Sequence, residues 1–216
     1  MLEFFVAALV VAIAPGPDNL FVLAQSAAHG ARAGFCVICG LCTGIVVQTC
    51  LLVAGVSALI AASPTAFFVM QCCGAAYLLF LAYKSFQVRA GHVDLESKNG
   101  EDASTGENGS AGEVALPGYR LYARGIVMNL TNPKAVLFVL SFIPPAVNLE
   151  RDLHPSIQTA ILGGEFILAT FIVFGSVALL AGAVKKYLLN SPKANRNLNW
   201  FSGAVFVFLA VALFAF

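Results

Sequence analysis

The chain has 216 residues; 59% are hydrophobic, only 11% are charged, the net charge is +1 and the mean hydropathy is +0.86. A soluble domain carries about 25% charged residues, so the composition sets a soluble fold aside and leaves an all-α polytopic membrane protein. Its surroundings are the lipid bilayer; no enzyme activity, cofactor or nucleic-acid partner is expected.

Six apolar segments can be read, at about 2–28, 33–62, 65–83, 125–143, 157–184 and 200–216. The first contains Ala14-Pro15-Gly16-Pro17-Asp18-Asn19, a turn signal by composition inside a run long enough to cross a bilayer of about 30 Å. A broken helix survives at that depth only where protein or a water-lined cavity satisfies its freed backbone groups. Ala12-Ile13-Ala14 looks like a signal-peptide cleavage site, but Glu3 stands where a basic start is needed and a proline would follow the cut. The segment is therefore expected to stay.

The second segment carries Gln48 and a GxxxG, Gly40-Leu41-Cys42-Thr43-Gly44, which reads as a close helix contact within the protein or between two copies, leaving a homodimer open. Cys36, Cys39 and Cys42 recur every third position, as a soft-metal site would demand. Thiolates form with difficulty in hydrocarbon, and no His or Met cluster joins them, so they read as small buried apolar groups and no metal is expected. The other cysteines, Cys50, Cys72 and Cys73, also lie in apolar segments and give no disulfide framework. Ser63-Pro64 reads as a hairpin into the third segment. Residues 91–118 are rich in Gly, Ser, Asn, Asp and Glu and predict a flexible loop. That loop divides a first three-helix repeat, 1–90, from a second, 119–216.

The fourth segment repeats the character of the first, with Asn129-Leu130-Thr131-Asn132-Pro133-Lys134 set in an apolar run. Pro17 and Pro133, then Gln48 and Glu165, recur in the same order at nearly the same offset. Gly74-Ala75-Ala76-Tyr77 likewise resembles Gly203-Ala204-Val205-Phe206. Three helices per half is an odd number, so the halves must be inverted, the plan of many secondary transporters. Helices 1 and 4 are the ones broken by proline. Arg32, the central loop's Lys84, Arg89, Lys98, Arg120 and Arg124, and Lys185, Lys186, Lys193 and Arg196 fall on one side of six spans. Arg151 alone falls on the other. The basic side is predicted cytoplasmic, with both termini outside. Trp200 and Tyr187 read as interface anchors, and the sequon at Asn108 as cytoplasmic.

Each proline frees the carbonyl four residues back: Pro15 that of Val11, Pro17 that of Ile13 and Pro133 that of Asn129. Asn132 as N-cap and Pro133 at N1 form a helix-start signal. Such a start turns free N–H groups and a positive dipole end into the membrane. A zwitterionic amino acid suits this arrangement, its carboxylate at the half-helix starts and its ammonium at freed carbonyls. Lys134 lies about ten residues, roughly 15 Å at 1.5 Å per residue, from either end of its segment, too deep to snorkel. Asp18 and Glu165 are comparably deep. An unpaired charge there costs roughly 2.5–3.5 kcal/mol or more. Asp18 and Lys134 are expected to neutralise one another, with Asp18 open to the substrate ammonium. Glu165, left without a cation, is a proton-coupling candidate beside Asp18, or else a neutral hydrogen-bonded side chain. Gln48 and Asn19 rank above Gln71 and Asn129 for the cavity because they share depth with the breaks.

These residues resemble the LysE/RhtB family of amino-acid exporters. Pro15-Gly16-Pro17-Asp18-Asn19 is similar to its first-helix signature, and Gly30, Gly34, Gly40 and Gly44 to its basic loop and glycine-rich second helix. Gly74-Ala75-Ala76-Tyr77-Leu78 is similar to the third helix, and Asn132-Pro133-Lys134-Ala135 with Phe142 and Pro144 to the fourth. Only the central loop departs, being longer and more polar. The resemblance implies a six-helix inner-membrane exporter of amino acids or small derivatives, driven by proton antiport. The spans hold no dense acidic cluster, so a small neutral substrate is favoured over a cationic one. The substrate site would comprise Pro15, Gly16, Pro17, Asp18, Asn19, Gln48, Asn132, Pro133 and Lys134. A divalent-cation exporter would need His, Asp or Glu clusters. A transmembrane thiol–disulfide electron carrier would need reactive cysteines in both halves, and the second half has none.

Overall fold

A computed structural model describes residues 2–61, 64–87, 116–148, 150, 152–183 and 192–212. Residues 91–115 of the expected central loop, its sequon, Tyr187 and the turn at Ser63 lie outside these residues; at 118 the expected loop is already helix. The described elements are helices: α1 (Leu2–Ile13), α2 (Pro17–His29), α3 (Ala31–Ala61), α4 (Pro64–Gln87), α5 (Gly118–Thr131), α6 (Pro133–Ala146), α7 (Pro155–Leu179) and α8 (Pro192–Ala212).

Both breaks form where the prolines remove amides. α1 ends before Pro15, Gly16 runs extended, and Pro17 opens α2 after a bend of 61°. α5 ends before Asn132, and Pro133 opens α6 after a bend of 57°. Among the described residues, Ala31–Gly55 within α3 and Pro155–Leu179 are each long and apolar enough to cross a membrane. Each bent pair passes the same test taken together, giving up to four spans, and Asn199–Val211 forms a shorter apolar stretch. Helix bounds differ from the apolar segments mainly where polar turns extend a helix. α5 starts at Gly118 and not near 125, because Tyr119, Arg120 and Tyr122 form an exposed first turn that hydropathy does not register.

The bends sort the half-helices into two cores. α1 and α6 enter one, where Phe138 lies 4.9 Å from both Phe142 and Phe166 and 5.5 Å from Phe4. α2 and α5 enter the other, around Phe21, Val22, Leu121 and Phe174. α3 and α7 contribute to both, so they brace the junction where the breaks fall. The GxxxG contact is internal: a Cβ on Gly40 would overlap the Tyr122 carbonyl of α5, and one on Gly125 the Val37 carbonyl of α3. α4 and α8 also enter the first core, through Leu78 and Phe206 among others, and pack on each other with Gly203 against Phe86, which meets Trp200 edge-on at 5.6 Å. Outside the second break, Gln158 bonds the backbone of Asn148 and Leu153 and so ties the turn after α6 to the start of α7.

Candidate functional site

At the first break the carbonyl freed by Pro15 is taken by a side chain from the other half of the chain. Lys134 Nζ donates to Val11 O at 3.1 Å and to Ala14 O at 2.8 Å. Gly16 makes room for it, since a Cβ there would stand 3.2 Å from the ammonium. Asn19 Nδ2 donates to Ala12 O at 2.9 Å, covering the carbonyl whose helical partner would have been Gly16. An ammonium carries three donors, and two go to these carbonyls. The third has no acceptor among the described residues.

At the second break the carbonyl freed by Pro133 is satisfied from within and from α3. Asn129 O accepts from Asn132 N at 3.2 Å and from Gln48 Nε2 at 3.1 Å, and the same Gln48 nitrogen reaches Asn129 Oδ1 at 3.0 Å. The Asn132 side chain then works in two directions. Its Oδ1 accepts from Lys134 N at 3.0 Å, capping α6, and its Nδ2 donates to Asp18 Oδ2 at 2.6 Å. That last bond joins the two breaks.

The half-helix starts are unequal. Asn132 closes the N-terminus of α6, whereas Gly16 offers no side chain to the first turn of α2. The positive end of α2 instead carries the Asp18 carboxylate in its own first turn. Asp18, Asn132 and Lys134 are all buried, and Asp18 Oδ1, Asn19 Oδ1 and Gln48 Oε1 are buried acceptors with no partner among the described residues. Buried polar atoms are seldom left unpaired in folded proteins, so this junction offers acceptors and one ammonium donor to something polar.

Pro15 to Asn19, Gln48 and Asn132 to Lys134 are thus brought together. The expected direct pairing of Asp18 with Lys134 takes another form. Their charges interact through space, but the hydrogen bonds of the ammonium go to carbonyls and that of the carboxylate to Asn132. Glu165 stands apart, half-buried on α7 beside Phe166, with its Oε2 buried and without a hydrogen-bond partner among the described residues. Asn129, ranked low from sequence, proves central. The signal for it was its place four residues before Pro133.

A match to the LysE type translocators runs over residues 9–215. The chain belongs to the LysE type translocator family. Among its relatives, the leucine efflux protein of Salmonella choleraesuis is 29% identical over 210 residues, covering 97% of this chain and 92% of the relative. The leucine efflux protein of Klebsiella pneumoniae is 30% identical over 212 residues, covering 98% and 93%. No solved structure matches the chain. A LysE type translocator with helices this apolar is a multi-pass membrane transporter and not an enzyme. In this LysE family member the match includes both breaks.

Proposed function

We propose that the chain exports small neutral amino acids, leucine among them, from the cytoplasm across the inner membrane by proton antiport. In this reading six spans form two inverted three-helix repeats, and the substrate binds where the two breaks meet. The bond from Asn132 to Asp18 carries the proposal, because it unites the broken helices of both halves around an ammonium with a donor to spare. The carboxylate of an amino acid suits that donor. The names of the leucine efflux relatives support the substrate class, and a junction whose buried charged side chains among the described residues are Asp18 and Lys134 suits a neutral one. Asp18 and Glu165 are the carboxylates offered for the proton.

Efflux of labelled leucine from proteoliposomes tests the site. A lost hydrogen bond to a charged group costs about 1.5–3 kcal/mol, roughly ten- to hundredfold in affinity. Lys134→Ala should lower leucine transport by at least that order, with reduced thermal stability from the uncovered Val11 and Ala14 carbonyls. Transport at the wild-type rate by this variant would remove the substrate from the junction.

A further inference from the structure

A cavity of about 340 Å3 lies between α3 and α6, lined by Gln48, Leu51, Leu52, Gly55, Val136, Val139 and Leu140. We propose that it receives the aliphatic side chain of the exported amino acid, with Gln48 as the polar group at its inner end. This rests on the export reading above and adds where, and how large, a side chain the protein accepts.

Continuity with the junction is the first argument. Gln48 lines the cavity and bonds Asn129, whose carbonyl also accepts from Asn132, the residue that holds Asp18. Val136 begins the cavity wall one turn beyond Asn132 on the same half-helix. Chemistry is the second. The described lining contains no charged residue, and burying the head of a lysine or arginine substrate there would leave its charge unpaired. Size is the third. An apolar cavity of about 150 Å3 already holds a benzene-sized molecule, so this one has room for an isobutyl group and atoms beyond it. A Cβ on Gly55 would meet no atom within 4 Å, so the glycine leaves space and supplies no contact.

Leu51 and Leu140 are exposed at the mouth, which makes a lipid acyl chain the rival occupant. Gln48 decides between them. Its Oε1 is buried and without a hydrogen-bond partner among the described residues. An acyl chain has no donor to give it, whereas the ammonium of an amino acid lies within a bond or two of its aliphatic side chain.

Photo-leucine crosslinking to the reconstituted full chain, mapped by mass spectrometry, tests the occupant. Adducts are expected on α3 between Gln48 and Gly55 or on α6 between Val136 and Leu140, displaced by excess leucine but not by arginine. Adducts confined to other segments, or cavity adducts displaced by a fatty acid and not by leucine, would overturn the proposal. Two variants then test size in opposite directions. One methylene in an apolar pocket changes discrimination by about 10–200-fold. Gly55→Leu, filling the cavity, should lower the leucine-to-alanine transport ratio at least tenfold, and Leu140→Ala should raise the phenylalanine-to-leucine ratio. Ratios unchanged in both would contradict it. Wild-type vesicles that carry no amino acid would overturn the export reading itself, and this inference with it.

Discussion

One residue, Asn132, holds three tasks that are usually divided. It caps α6, donates to Asp18 across the halves, and turns its own amide back onto Asn129. Loss of an N-cap costs about 0.5–2 kcal/mol, and a buried partner left without its donor costs about 1–3 kcal/mol more. Asn132→Ala is therefore expected to lower the denaturation midpoint in detergent by more than a cap alone. Asn132→Asp should fail to rescue it, because an aspartate restores the cap acceptor but sets a second carboxylate against Asp18. A wild-type midpoint for Asn132→Asp would show that the donor to Asp18 is dispensable. Lys134 sits next to this bond and is itself held by Val11 and Ala14. Its ammonium therefore supports the first break before it can serve any substrate.

The half-helices were legible in the sequence because proline acts locally: a missing amide frees a carbonyl at a fixed offset, and Pro17 and Pro133 open α2 and α6 where that rule puts them. What occupies each freed carbonyl was not legible. Lys134 over Val11 and Gln48 over Asn129 are contacts set by how α6 and α3 cross their neighbours, and no spacing encodes that crossing. The cavity between α3 and α6 was hidden for the same reason. The glycines of α3 gave half an answer, since small residues permit close approach without naming the partner. The partner is α5. Adding bulk between packed backbones costs about 1–3 kcal/mol and sometimes more. Gly40→Val should therefore reduce the yield of monodisperse protein, whereas Gly164→Ala, with open space around its Cβ, should not. Equal yields would mean that α3 and α5 do not need their close approach.

At the scale of the described molecule, each bent helix pair gives one of its halves to each core, and the junction lies where the cores meet. A carrier built this way could move one core against the other about the breaks while the substrate stays between them, the rocking plan of inverted-repeat transporters. The proposed coupling to protons needs a carboxylate that changes charge during the cycle, and Glu165, whose Oε2 is buried with no hydrogen-bond partner among the described residues, is the one proposed for it outside the substrate contacts. The direct measurement is uptake of labelled leucine into proteoliposomes held acidic inside, with wild type and Glu165→Gln in parallel. Antiport predicts that wild type accumulates leucine above its external concentration while the gradient lasts, and that Glu165→Gln only equilibrates it. Wild-type uptake indifferent to the gradient would mean that protons do not drive this transporter, and no uptake at all would mean that leucine is not its substrate.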